Sequence, residues 1–215
     1  MYGVTFGNKH SFDDLGMILT SRDIPLPEPK IHTIEIPCAD GVIDVSTALT
    51  DGIMKYKNRE ITMNFTVDTS VSSFEEVKSI ISNHLHGKTL KVVFDVDPDF
   101  FYWGRCTVDD INTTKYPATV SIYVDAKPYK YKNTETVVTD TVTSTPKTIT
   151  LTNGAMPVTP TITVTSETTI VFNGDTFSIN AGTHKVLGLT LTEGDNELSV
   201  KGSGSVVFKY TEGSL

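Results

Sequence analysis

The residues of this 215-residue chain that could do chemistry are few, and each set lacks a partner that its chemistry requires. Gly87-Lys88-Thr89 resembles the end of a phosphate-binding loop, in which backbone N–H groups and a lysine hold phosphate oxygens. Ser82 stands where that loop needs its first glycine, and the pattern here runs helix then strand instead of strand then helix. Asp95-x-Asp97-x-Asp99 opens with the spacing of a calcium loop. Phe100 occupies the position of the sharp-turn glycine, however, and Cys106 that of the bidentate glutamate. His84 and His86 are two residues apart on a helical pattern, so they point to different faces and cannot share a metal. They suit a helix C-terminus, where positive charge is favourable. Gly202-Ser203-Gly204-Ser205 has glycine where a nucleophile elbow needs serine, and it reads as a tight turn. The expectation is a chain with no catalytic residues, no cofactor and no metal, and therefore not an enzyme.

Two basic stretches interleave aromatics, Lys55-Tyr56-Lys57-Asn58-Arg59 and Lys127-Pro128-Tyr129-Lys130-Tyr131-Lys132, a mixture that can hold single-stranded nucleic acid. The net charge of -8 and the pI near 5.0 oppose a surface that neutralises phosphates. No nucleic-acid specificity is expected, and Tyr56, Lys57 and Arg59 read as solvated strand ends or subunit contacts. The N-terminus is too polar for a signal peptide, and no apolar run approaches the roughly 20 residues of a membrane span, so no membrane insertion is expected. Cys38 and Cys106 lie far apart in apolar, strand-like runs and are expected to be reduced core thiols. These features fit a protein made in a cytosol.

The elements that would position any site are mostly strands. Ile61, Met63, Phe65 and Val67 alternate with polar residues, as do Leu90, Val92, Phe94 and Val96, and Ala118, Val120, Ile122 and Val124. Turn signals fall between such runs at Asp40-Gly41, Asp97-Pro98-Asp99 and Asn112-Thr113-Thr114-Lys115. One helix is expected, with Phe74, Val77, Ile80, Ile81 and Leu85 as its apolar stripe, a Ser73/Glu76 capping box and Gly87 as its left-handed stop. Losing Ser73 to alanine should cost about 1 kcal/mol.

Composition changes along the chain. Residues 134–215 hold 20 of the threonines against 13 before them, and only 4 aromatics against 15, which argues for two cores of different make-up. The joint is placed in the polar stretch Lys130–Glu135, giving domains 1–133 and 134–215. The second reads as a β-sandwich: Ile170 and Phe172 lead through Asn173-Gly174-Asp175 to Phe177 and Ile179. Leu189 and Leu191 lead through Glu193-Gly194-Asp195-Asn196 to Leu198 and Val200, and Val206, Phe208 and Tyr210 end the set.

Gly3 to Gly16, Leu19 to Ile24 with the following Pro25-Leu26-Pro27-Glu28-Pro29-Lys30, Tyr56 to Ile61, Leu85-His86-Gly87-Lys88, Asp95 to Arg105 and Ala126 to Lys130 form an ordered set of stretches. The set resembles phage distal tail proteins, the siphovirus-type tail component family. In the second half, Asn153-Gly154 with Pro157 and Pro160, Gly194-Asp195-Asn196 and Tyr210 fit the same family. The resemblance implies a mainly β protein with a tube-protein-like N-terminal domain carrying one helix and a galectin-like C-terminal β-sandwich. It further implies a homo-oligomer, a hexameric ring in the virion tail assembled in the host bacterial cytoplasm. Its partners would be the tail tube protein above, the tail-associated lysin or hub protein below, and receptor-binding proteins at the periphery. A non-catalytic carbohydrate-binding module used in host adsorption is the alternative, and the scarcity of aromatics in the second domain weakens it.

The residues themselves are compatible with such a scaffold. Pro25, Pro27 and Pro29 at alternate positions favour a semi-rigid extended arm. Between Asp40 and Asn58, the apolar Val42, Ile43, Val45, Leu49, Ile53 and Met54 exceed what one loop can hide; they serve either a subunit interface or their own domain. A closed ring should draw its main contacts from residues 1–133.

Overall fold

The structure, a computed structural model, describes residues 3–50, 52–67, 74–112 and 117–215, without the side chains of Phe74, Asp110 and Asn112. Contacts divide the chain into two compact units, Met1–Lys130 and Tyr131–Leu215. Both are built of antiparallel strands, and the architecture is mainly β with one helix among the described residues.

The first unit contains β1 (Val4–Phe6), β2 (Lys9–His10), β3 (Met17–Asp23), β4 (Thr33–Glu35), β5 (Val42–Asp44), β6 (Arg59–Val67), α1 (Phe74–Leu85), β7 (Thr89–Phe94), β8 (Phe100–Asn112) and β9 (Thr119–Ala126). Its main sheet follows the order β2-β1-β7-β8-β9-β6-β3. Alternation decides which face is inside: Ile61, Met63, Phe65 and Val67 are buried beside Val120, Ile122 and Val124, in the registers Ile61↔Val124, Met63↔Ile122 and Phe65↔Val120. Each such side chain contributes about 1.5–3 kcal/mol by leaving water. The edge strand β3 is bulged between Leu19 and Ser21, where Thr20 Oγ1 donates to the Asn64 carbonyl at 2.8 Å. Bulges twist an edge away from further pairing.

The helix packs through Val77, Ile81 and Leu85, all buried in the same core. Ile80 departs from the expected stripe and is 44% exposed. At 3.6 residues per turn it lies about 100° from the centre of the buried face. Gly87 stops the helix in the left-handed region (φ 76), and its N–H donates to the Cys106 carbonyl. Ser73 of the expected capping box and Thr113, Thr114 and Lys115 of the expected turn lie outside the described residues. Val96 is 43% exposed because β7 ends at Phe94 and the turn before β8 begins there.

The second unit contains β11 (Thr136–Val142), β12 (Lys147–Asn153), β13 (Thr161–Val164), β14 (Thr168–Phe172), β15 (Asp175–Ile179), β16 (Gly182–Lys185), β17 (Gly194–Lys201) and β18 (Gly204–Tyr210). They form two four-stranded sheets, β11-β18-β13-β16 and β12-β17-β14-β15, with one contiguous core that includes Leu151, Ile162, Ile170, Leu198 and Phe208. The Asn173-Gly174 hairpin turn has both residues at positive φ (51 and 91), the signature of a two-residue hairpin. Leu189 and Leu191 are fully buried as expected but belong to no strand; Val158 and Leu191 form a single bridge. The stretch expected to be patternless at 130–135 instead includes a short strand, β10 (Lys130–Lys132), which pairs with β19 (Gly213–Ser214).

Three residues of the family-like stretches hold this sandwich together. Asn196, buried, donates through Nδ2 to the carbonyls of Thr192, Gly194 and Leu151, and its Oδ1 accepts from the Thr192 N–H. Asn153 donates to the Met156 carbonyl at 2.9 Å, and the Tyr210 hydroxyl to the Thr152 carbonyl at 2.6 Å.

Candidate subunit interface

Between β3 and β6 the chain leaves the sheet as a two-stranded arm. Lys57 N–H donates to the Glu28 carbonyl, Pro29 bridges Tyr56, and Lys30 N–H donates to the Lys55 carbonyl. Further out, Val45 N–H donates to the His32 carbonyl, and β4 pairs with β5 as Thr33↔Asp44, Ile34↔Ile43 and Glu35↔Val42. From Glu28 to Glu35 the ladder runs about 25 Å at the rise of a strand. The side loop at its return leg is closed by Thr50 Oγ1 donating to the Ile53 carbonyl at 2.6 Å.

Strand alternation puts Ile34, Ile36 and Ile43 on one face of the arm and Thr33, Glu35, Val42 and Asp44 on the other. Ile34 and Ile43 are 52% and 50% exposed, Val42 is 56% exposed and Leu49 98%. Val42, Ile43 and Leu49 are therefore not packed within their own unit, whereas Val45, Ile53 and Met54 are half-buried in it. A two-stranded ribbon with one bare apolar face is marginal by itself in water, and contiguous exposed apolar surface marks a contact site.

The residues expected at an interface fall into three groups. Pro25, Pro29, Val42, Ile43 and Lys57 are exposed; Ile53, Met54 and Tyr56 are half-buried; Pro27 and Arg59 are buried. Arg59 is thus an internal residue of the arm's root and offers no surface to a neighbour. Its position explains this: it opens β6 on the inward-facing register that continues to Ile61 and Met63. Lys57 forms an ion pair with Glu28 at 2.9 Å, and the Tyr56 ring meets Tyr129 edge-on at 5.9 Å. Lys130 pairs with Asp97 at 2.7 Å and covers the Phe100 ring at 4.3 Å. These basic residues spend their charge on local acids and aromatic rings.

The other chemistry-bearing residues are dispersed likewise. Asp95 accepts from the Gly3 N–H at 2.7 Å and lies 3.2 Å from His10 Nε2, whereas Asp97 faces Lys130, so the aspartates diverge. His84 Nε2 lies 3.0 Å from the Phe6 carbonyl oxygen, and His86 Nδ1 accepts from the Val108 N–H at 3.2 Å. The turn at Gly202-Ser203 carries the chain from β17 in one sheet to β18 in the other. Cys106 is buried, and burial pushes its thiol up to about 12. Cys38 corrects the expectation of a core thiol: it is exposed at the tip of the arm, in the left-handed region (φ 65) of the turn between β4 and β5. In the second unit Phe172, Phe208 and Tyr210 are core residues, and Phe177 packs against that core half-buried. No described helix is long and apolar enough to cross a membrane.

No protein-family model and no curated protein matches the chain. Among solved structures it is similar to the SPP1 Dit (gp 19.1) protein, described as a paradigm of the hub adsorption apparatus in phages that infect Gram-positive bacteria. The TM-score is 0.71 at 14% identity, covering 100% of both chains. At that identity the likeness is one of fold, and it extends over both units.

Proposed function

We propose that this protein is a structural component of a phage tail: a distal tail protein whose copies form a ring joining the tail tube to the tail-tip hub and adsorption apparatus. The observation that carries the reading is the arm, a paired ribbon that exposes Ile34, Ile36, Val42 and Ile43 on the unit expected to form the ring. The like fold of a phage hub adsorption protein supports it. An arm on one copy docking on a different surface of the next makes a head-to-tail contact, and such contacts close into rings when the rotation permits. The role is non-catalytic, and its site is the virion tail, after assembly in the host bacterial cytoplasm. Six copies are the number implied by the family resemblance. The partners are the tail tube protein, the tail-associated lysin or hub protein, and receptor-binding proteins carried at the periphery. Sugar recognition by the second unit is disfavoured because its aromatics are occupied in the core.

The test is the solution mass of the purified chain over a wide concentration range, with negative-stain images of any oligomer. A discrete closed ring is expected. A chain that remains monomeric at high concentration, alone and with its tube and hub partners, overturns the reading.

A further inference from the structure

Arg59 is the single charged residue that is buried among the described residues, with 4% of its surface exposed. It stands where the arm returns to the sheet. Its Nη1 donates to the Pro25 carbonyl at 3.4 Å and its Nη2 to the Pro128 carbonyl, and the guanidinium lies 5.4 Å from the centre of the Tyr102 ring. Nε has no hydrogen-bond partner. Pro25 follows the end of β3, where the arm departs, and Pro128 follows the end of β9. A proline has no N–H to give to a ladder, so both departing segments lack that backbone tie at these positions. The guanidinium fork ties the same two residues through their carbonyls instead. Beside it, Asn58 Nδ2 donates to Asp125 Oδ1 at 3.0 Å.

The arrangement is a poor choice for stability. Arg59 meets carbonyls and a phenol ring instead of a carboxylate, one of its donors is unsatisfied, and burial pulls its pKa below the ordinary value. Apolar residues of similar volume often replace buried ionic groups at no loss of stability. Stability therefore does not account for Arg59, but geometry does: a two-pronged donor fixes the outgoing leg of the arm against the strand to which the returning leg is paired.

We propose that Arg59 is a positioning residue, a clasp that sets the direction in which the arm leaves the sheet, so that assembly depends on it although it touches no neighbouring copy. The consequence for assembly rests on the ring-forming reading, whereas the effect on the arm does not.

Two variants and two measurements separate these. In Arg59→Met the apolar chain fills the site without donors, and in Arg59→Lys one nitrogen replaces the fork and cannot span both carbonyls. The thermal midpoint should fall by no more than a few degrees in either variant, for the carbonyls that lose a donor, while the concentration needed for half-assembly rises about tenfold or more in Arg59→Met and less in Arg59→Lys. Assembly at the wild-type concentration in both variants overturns the proposal. For the arm itself, a spin label on the exposed Cys38 at its tip is paired with one on Thr107→Cys of β8, and the distance distribution is measured. A narrow distribution that broadens or shifts in either variant supports the clasp; an unchanged one overturns it. Should Arg59→Met fail to fold, the same two readouts on Arg59→Lys decide. If the wild-type chain forms no oligomer, the ring reading fails while the distance measurement still judges the clasp.

Discussion

The two cysteines should behave as different chemical species in the native protein. Cys38 projects from the tip of the arm, whereas Cys106 is enclosed in the sheet core with its thiol pushed up to about 12, so that almost none of it is thiolate near neutral pH. A maleimide should add once to the native chain, at Cys38, and twice after denaturation, as mass spectrometry would read. Two additions to the native protein would contradict the burial of Cys106. At Glu212 the chemistry is acid–base. The hydrogen bond from Thr136 Oγ1 at 2.5 Å, together with Lys132, holds its carboxyl below the usual 4.5 against an opposing desolvation. A folded pKa below the unfolded one means that the stabilisation is whole above the ordinary carboxylate range and is lost as pH falls through the lowered value. The thermal midpoint of Glu212→Gln should therefore lie below wild type near neutral pH, with the gap closing as pH falls below the ordinary carboxylate range. A gap that stays constant with pH would assign the loss to packing. The two cases also show how far sequence carries at this scale. That Phe100 and Cys106 replace two calcium-loop positions after Asp95 is legible in the sequence, but the partners of Asp95 and Asp97, namely Gly3, His10 and Lys130, are not, because those contacts join residues far apart in the chain. Cys38 misleads for a related reason: an apolar neighbourhood signals a core only if the segment stays in the sheet, and this one leaves it.

Among the elements, those with a strict two-residue alternation and a buried face are the ones legible from sequence. β6 and β9 are read correctly because each buries one face along most of its length, and α1 because three apolar residues recur every fourth position. β4 and β5 carry no such signal, since neither face is covered, and β10 is three residues whose partner strand lies at the far end of the chain. β11 and β12 hide among threonines that satisfy strand geometry without marking an inside face. The arm is consequently the element least legible in the sequence and the one that the proposed function needs most; its apolar residues stand out, while its form as a paired ribbon does not. Its apolar face is where association should be most sensitive. Replacing the cross-strand pair Ile34 and Ile43 by aspartate puts two like charges opposite each other on an exposed ribbon. Surface substitutions of this kind usually change fold stability by only about 0.5 kcal/mol. The loss should appear instead in assembly, with the oligomer replaced by monomer at concentrations where wild type is fully assembled and the unfolding midpoint shifted by no more than a few degrees. If the double variant assembles normally, the apolar face is not the contact.

For the molecule as a whole, the second unit carries what it needs to fold independently. Its eight strands β11–β18 enclose a core of their own, with Leu151, Ile162, Ile170, Leu198, Val200, Val206 and Phe208 completely buried. That is the composition of a small sandwich able to fold alone. A division drawn from polarity at 133/134 cuts through what the structure uses as a fastening. Lys132 N–H donates to the Glu212 carbonyl at 2.9 Å and its Nζ pairs with the Glu212 carboxylate at 3.1 Å, in the short ladder of β10 with β19. A fragment beginning at 134 discards this ladder and leaves Glu212 with Thr136 alone, whereas one beginning at 131 retains it. Both fragments should unfold cooperatively, since neither loses a core residue, but 131–215 should be the more stable by about 1–2 kcal/mol, the scale of two or three net hydrogen bonds. Denaturant titration of the two fragments measures that difference directly, and equal midpoints would show that the ladder contributes nothing. The complementary piece, 1–130, keeps the arm and the Arg59 clasp intact and should assemble without the second unit; a first unit that stays monomeric under conditions where the whole chain forms rings would move the essential contacts to the sandwich.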